Sequence, residues 1–158
     1  MTLLRPILRS DVPQLLAVYR DAVLSQTEGL YSPEQIRSWA DHAQQRDDVR
    51  TALIRGTGLV SLAGDDPGQI EAFALRDPAD RLALLYCRGR SSRQGRGRNL
   101  VLAIEAQARE AGCQRLRTEA SQLSRPLLER LGWDVEAEEE VLFAGVWFQR
   151  WRMIRILD

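Results

Sequence analysis

Apolar positions along the chain recur first at helical spacing, then at strand spacing, then at both in turn. The opening residues, Thr2 to Leu8, read as a short strand. Leu15, Leu16, Val18, Tyr19, Ala22 and Val23 then form a helical stripe, with Ser10 the expected N-cap and Asp11 in the first turn. In "YSPEQIRSWADHA", Ser32 is placed to cap, Pro33 to take the first helical position and Gln35 to close a capping box, while Ile36, Trp39 and Ala40 supply an apolar side. "DDVRTALIRG" predicts a third, short helix closed by Gly56. The period then drops to that of strands over residues 59–63, 70–75 and 82–87. The separating segments, "GDDPGQ" and "RDPADR", carry tight-turn residues, so the three strands form an antiparallel meander.

"NLVLAIEAQAREAG" predicts a helix with Leu100, Val101, Ile104, Ala108 and Ala111 on one face and Gly112 as its stop. "QRLRTEAS" reads as a strand, and "SRPLLERLG" as a helix capped by Ser124. Strands over residues 133–141 and 146–156, joined at "FAG", close the chain. Strand, two or three helices, three strands, helix, strand, helix and two strands make an α+β protein. Nothing suggests a linker or repeat, so residues 1–158 are expected to form one domain.

Charge narrows the function. Twenty-two basic residues balance twenty-two acidic ones, so no net field favours nucleic acid or an anionic membrane. All the basic residues are arginine, which excludes lysine Schiff-base chemistry. Cys87 and Cys113 lack metal-ligand or disulfide spacing, and no metal site is expected. No signal-peptide pattern and no membrane-length apolar run is read, which points to a cytoplasmic protein.

The basic charge is concentrated locally. "RGRSSRQGRGRNL", Arg88 to Leu100, holds five arginines and three glycines and follows the apolar run "LALLYC". A helix starting here points unpaired N–H groups and the positive end of its dipole into the loop. Gly95 and Gly97 admit close backbone approach, and Arg96 and Arg98 add charge, a recipe for holding a pyrophosphate. A solvated arginine turn and an RG-type nucleic-acid segment are the other readings of these residues. The nucleic-acid reading fares poorly because the stretch is short and the protein neutral.

"LLYC", then Gln94-Gly95-Arg96-Gly97-Arg98-Asn99 opening a helix, then a strand, "LLERLGW" and "RWRMIRIL", resembles the GNAT superfamily of acyl-CoA-dependent N-acetyltransferases. "YSPEQIRSWA" is similar to a segment of one small bacterial subgroup. The resemblance covers essentially the whole chain. It implies a mixed, mostly antiparallel central sheet of about six to seven strands flanked by helices. It implies acetyl-CoA as co-substrate, held at the pyrophosphate by Gln94, Gly95, Arg96, Gly97, Arg98 and Asn99, with Leu85, Tyr86 and Cys87 along the pantetheine where strands splay apart. The implied reaction is acetyl transfer to a primary amine of a small molecule or peptide, with Tyr31 and Trp39 on the acceptor wall.

Three departures bear on catalysis. Asn99 replaces the last small residue of the loop, "CRGRSSRQ" is longer than the usual connection and lacks its proline, and Leu128 stands where the family often has a tyrosine that protonates the thiolate. Arg88, Arg90 and Arg93 are open to two uses, reaching a 3′-phosphate or remaining solvated, and at least two are expected to be solvated. For a base, the candidates are Glu71 and Glu119. Glu119 shares a strand side with Ser121, and its competing use is an ion pair with Arg115 or Arg117. His42 is expected to be solvated. The alternative function is a CoA-binding or interaction module that has lost turnover. Phe143, Trp147, Phe148 and Trp151 on the last hairpin suggest a homodimer contact or, equally, core packing.

Overall fold

The computed structural model describes residues 3–158, so Thr2 of the expected first strand lies outside the described residues. The chain runs β1 (Leu3–Pro6), α1 (Val12–Gln26), α2 (Pro33–Gln45), α3 (Asp48–Arg55), β2 (Thr57–Leu62), β3 (Ile70–Arg76), β4 (Leu82–Cys87), α4 (Arg96–Glu110), β5 (Arg115–Ala120), α5 (Arg125–Arg130), β6 (Asp134–Phe143) and β7 (Val146–Ile156). Two antiparallel sheets result, ordered β1-β2-β3-β4 and β5-β7-β6. This is the α+β architecture expected from the order of periods.

β3 explains where the layers lie. All seven of its residues are buried, because successive side chains enter opposite cores. Phe73 and Leu75 join the core under α1, α2 and α3, whereas Ala72 and Ala74 face α4, β5 and β7. Burying each large apolar side chain contributes roughly 1.5–3 kcal/mol, and Phe73 is fully buried. Helices therefore cover both faces of the first sheet. None of the described helices is long and apolar enough to cross a membrane.

Local signals held in some places and yielded in others. Ser32 accepts from Gln35 N at 3.1 Å and Gln35 answers with its Oε1 at 2.9 Å, the capping box read from sequence. Ser10 caps nothing. A 3-10 turn over Arg9–Asp11 precedes α1, and the Asp11 carboxylate accepts from Leu8 N at 2.7 Å while pairing with Arg5 at 2.8 Å. Ser124 occupies the N-cap position of α5 without bonding as a cap. Ala111 is exposed just beyond the end of α4.

The last hairpin divides its aromatic residues. Phe148 and Trp151 are buried, and Phe143 is half-buried against the first core. Trp147 remains 63% exposed opposite Leu142, so the surface for a partner is smaller than the sequence suggests.

Candidate functional site

Among the described residues, hydrogen bonds join the two sheets at one end of β4 and β5. Arg117 N donates to Asp80 O at 2.9 Å, and Thr118 Oγ1 donates to Leu82 O at 2.7 Å. An isolated parallel bridge joins Arg81 and Arg117. Beyond Leu82 no described strand pairs with that edge of β4, and its residues are only partly buried where those of β3 are fully so. A cleft opens between the sheets.

At one end of the cleft stands the start of α4. Gly95 adopts φ 81, a left-handed conformation that favours glycine. The first helical bond runs from Asn99 N to Gly95 O at 3.0 Å, so the N–H groups of Arg96, Gly97 and Arg98 precede the ladder. They adjoin a cavity of about 600 Å³ whose lining includes Cys87, Arg93, Gly97, Arg98, Leu127 and Arg130. A Cβ on Gly97 would lie 3.1 Å from Leu127 Cδ2, so the missing side chain also lets α4 and α5 approach. Arg93, Arg98 and Arg130 have no ion-pair partner among the described residues. Gln94 and Asn99 do not line this cavity.

The other arginines of the stretch are anchors. Arg90 grips both Glu71 oxygens, at 2.9 and 2.7 Å, Ser91 Oγ also donates to Glu71, and Arg88 Nε reaches Ile70 O at 2.9 Å. Arg88 and Arg90 are thus bonded and do not line the cavity, although the Arg90 side chain stays largely exposed to solvent. Arg90 and the Ser91 hydroxyl hold the Glu71 carboxyl down at about 2 against the effect of its burial, so it is an anion and no base. Gly89 completes the anchorage. Its N–H donates to Asp21 Oδ1 at 2.9 Å, and an added Cβ would strike Ser25 Oγ. Arg96 also turns inward, donating to Ser61 Oγ at 2.8 Å and Leu62 O at 2.9 Å. The sequence reading had put Arg96 on the pyrophosphate. Arg96 does line the cavity, and its guanidinium pins the helix start to β2.

A narrow middle cavity of about 100 Å³ follows between β4 and β5, lined by residues including Leu85, Tyr86, Ser121, Leu123, Ser124 and Leu128. It leads to a third cavity of about 380 Å³. Tyr86 borders all three spaces. Its hydroxyl accepts from Trp39 Nε1 at 3.1 Å, and burial pushes the phenol up to about 12. Tyr31, from the loop before α2, accepts Gln122 N–H at 2.8 Å, and its pKa is likewise raised by burial.

Glu119 and Ser121 share this third cavity, but both are engaged. Glu119 is held by Arg81, at 2.8 Å from Nη2 and 3.1 and 3.2 Å from Nε, and not by the expected Arg115 or Arg117. Ser121 Oγ accepts the N–H groups of Leu123 and Ser124, both at 3.1 Å, doing the capping assigned to Ser124. His42 is not solvated: its ring lies 4.4 Å from that of Phe143 and its Nε2 bonds Asp48 at 2.8 Å. Leu128 is buried and offers no proton. Burial pushes the Cys87 thiol up to about 11, which disfavours a thiolate nucleophile. No described group of three or more His, Cys, Asp or Glu is placed to hold a metal.

The family model described as acetyltransferase (GNAT) domain matches residues 28–155. No curated protein matches the chain in sequence. Among solved structures, a GCN5-related N-acetyltransferase from Rhodopseudomonas palustris aligns with a TM-score of 0.92 at 24% identity, over 99% of this chain and 96% of that one. PaiA N-acetyltransferase from Thermoplasma acidophilum, in complex with coenzyme A, aligns at 0.77 and 19% identity, over 99% of each chain. YncA from Salmonella typhimurium, with its cofactor acetyl-CoA, aligns at 0.63 and 18% identity, over 100% of this chain and 95% of that one. At such identities these three structures speak for the fold.

Proposed function

Because the chain belongs to the GNAT acetyltransferase family, we propose that it transfers an acetyl group from acetyl-CoA to a primary amine. The observation that carries this reading is the continuity of the cleft. Leu85, Tyr86, Leu123 and Ser124 border both the α4 cavity and the middle one; Trp39, Tyr86, Glu119 and Ser121 border both the middle cavity and the third. A cofactor entering at one end can thus meet an acceptor entering at the other. The complexes of PaiA with coenzyme A and of YncA with acetyl-CoA support the choice of cofactor.

The residues present fit the cofactor. The N–H groups at Arg96–Arg98 and the unpaired Arg93, Arg98 and Arg130 would receive the phosphates, and Leu85, Tyr86 and Cys87 would flank the pantetheine. When bound, acetyl-CoA supplies an acyl carbon activated as a thioester. The chain's own part is to bind, align and exclude water, since Cys87 and Ser121 are ill-suited to covalent catalysis. Direct attack by the amine is the economical route. Tyr31 and Tyr86, kept protonated by burial, can donate hydrogen bonds in the cleft.

Leu128, the paired Glu119 and the capping role of Ser121 favour a second reading, a CoA-binding module without turnover. Calorimetric titration with acetyl-CoA and thiol release over a panel of amines decide between them. Binding with thiol release above buffer supports the transferase. Binding without turnover on any amine supports the module, and no binding at millimolar cofactor refutes both.

A further inference from the structure

The third cavity is walled by rings. Tyr31, Trp39 and Phe148 stand with centroids 5.4 to 6.1 Å apart, Tyr86 lies 6.4 Å from Trp39, and Phe143 lies 5.7 Å from Phe148. Its arginines are all engaged by carboxylates. Three carboxylates line it, and each already has a partner. His42 Nε2 lies 2.8 Å from Asp48, Arg55 bonds Asp77 at 2.6 and 3.2 Å, and Arg81 bonds Glu119 on both oxygens. The third arginine of the lining, Arg150, pairs with Glu139 at 2.6 Å.

An ammonium entering this space would give up hydration and find Asp77 and Glu119 already held by arginines, while Asp48, hydrogen-bonded to His42, is largely exposed to solvent. A polyamine or a lysine side chain is therefore poorly served. The site also lacks an unengaged base beside the middle cavity, because Glu119 is the carboxylate bordering both spaces and Arg81 holds it. Both facts suit a nitrogen that is neutral before it arrives.

We propose that the acceptor is an arylamine, a primary amine bonded directly to an aromatic ring, seated among Tyr31, Trp39, Tyr86, Phe143 and Phe148. The proposal rests on the transferase reading and names its substrate class. A ring-bonded nitrogen shares its lone pair with the ring and is unprotonated at neutral pH, so no base is needed before attack. The lone pair forms the new C–N bond to the acetyl carbon as the C–S bond breaks. The departing thiolate takes up the proton that the nitrogen releases, which leaves an aryl acetamide and coenzyme A. Ring packing edge-to-face against the wall supplies the binding.

Aromatic walls can also hold an alkylammonium by cation–π contact, and the test separates the two. Thiol release is measured with aniline, 2-phenylethylamine, spermidine and L-lysine as acceptors. The expected kcat/KM for aniline exceeds those for spermidine and lysine at least tenfold; parity or the reverse order overturns the proposal. Arg55→Gln frees Asp77 at a largely exposed arginine. It should raise kcat/KM for 2-phenylethylamine relative to aniline at least threefold, and an unchanged ratio counts against the charge argument. Aniline and spermidine are also titrated by calorimetry into the apoprotein and its coenzyme A complex. Tighter aniline binding upholds the ring preference even without turnover, and equal or weaker binding overturns it. Loss of acetyl-CoA binding refutes the transferase reading separately, and the apoprotein titration still decides the chemistry of the cavity.

Discussion

Glu71→Gln tests the anchor beneath the α4 loop. Glu71 sits in a strand buried on both faces, and its carboxylate is held chiefly by Arg90 and also by Ser91. A fall in pKa from 4.5 to about 2 corresponds to about 3 kcal/mol at about 1.4 kcal/mol per unit. The Arg90 side chain is 63% exposed, so solvent screens its share, and about 2 kcal/mol is the working figure. For a chain of this length that loss lowers Tm by about 4–8 °C. Glutamine keeps the shape and one acceptor oxygen, so the loss reports charge and not a void.

The pH dependence follows from the direction of the shift. A group whose pKa is depressed on folding adds stability that is complete above its unfolded value, near 4.5, and is lost as pH falls toward the folded value near 2. Urea unfolding of wild type and variant at pH 7, 4.5 and 3 gives the difference directly, and the titration of other carboxylates largely cancels in it. The gap should be about 2 kcal/mol at pH 7 and less than half of that at pH 3. A gap unchanged with pH, or below about 0.5 kcal/mol at pH 7, would refute the reasoning, because an anion held by Arg90 must lose its advantage on protonation.

Two further outcomes test the loop. Gly97→Val should weaken coenzyme A binding more than tenfold, about 1.4 kcal/mol, by calorimetry, with Tm within a few degrees of wild type because Leu127 is a flexible neighbour; unchanged affinity would remove the cavity at α4 as the phosphate site. Arg96→Ala should cost about 1–3 kcal/mol in urea unfolding by stranding Ser61 Oγ and Leu62 O. It should also leave the slope of log K for coenzyme A against log salt unchanged, whereas a flatter slope would place Arg96 on the phosphates.

The order of elements was legible because each period has a separate physical cause. Strand residues alternate between cores, helical stripes face one, and Gly, Pro and Asp mark the turns between. Ser32 and Gln35 were readable because a capping box is local. Ser10 misled for the opposite reason. Its hydroxyl has the right chemistry, but Arg5 on β1 fixes Asp11 and thereby the turn that starts α1. The Glu71 anchor had a visible trace, a carboxylate within "IEAFALR", since an ion in a run of buried residues requires a partner. Which arginine answers it could not be read, because Arg90 arrives through the fold from 19 residues away. His42 and Phe143, like Arg81 and Glu119, are likewise joined by tertiary contact alone.

The sequence of "RGRSSRQGRGR" assigns Arg96 and Arg98 to a phosphate and leaves Arg88, Arg90 and Arg93 open, and the structure divides the five by the geometry each bond needs. A buried carboxylate in a full strand leaves both oxygens to be satisfied, which a planar guanidinium does at once and a lysine ammonium does not. Arg90 therefore belongs to Glu71, and Arg96, with Ser61 Oγ and Leu62 O in reach, belongs to β2. Each of these pairings fixes the backbone around the helix start. Arg93 and Arg98 have no ion-pair partner among the described residues. Fixed N–H groups with two exposed charges beside them make a better anion receptor than five unanchored charges, because the ordering entropy is met during folding and not again at binding.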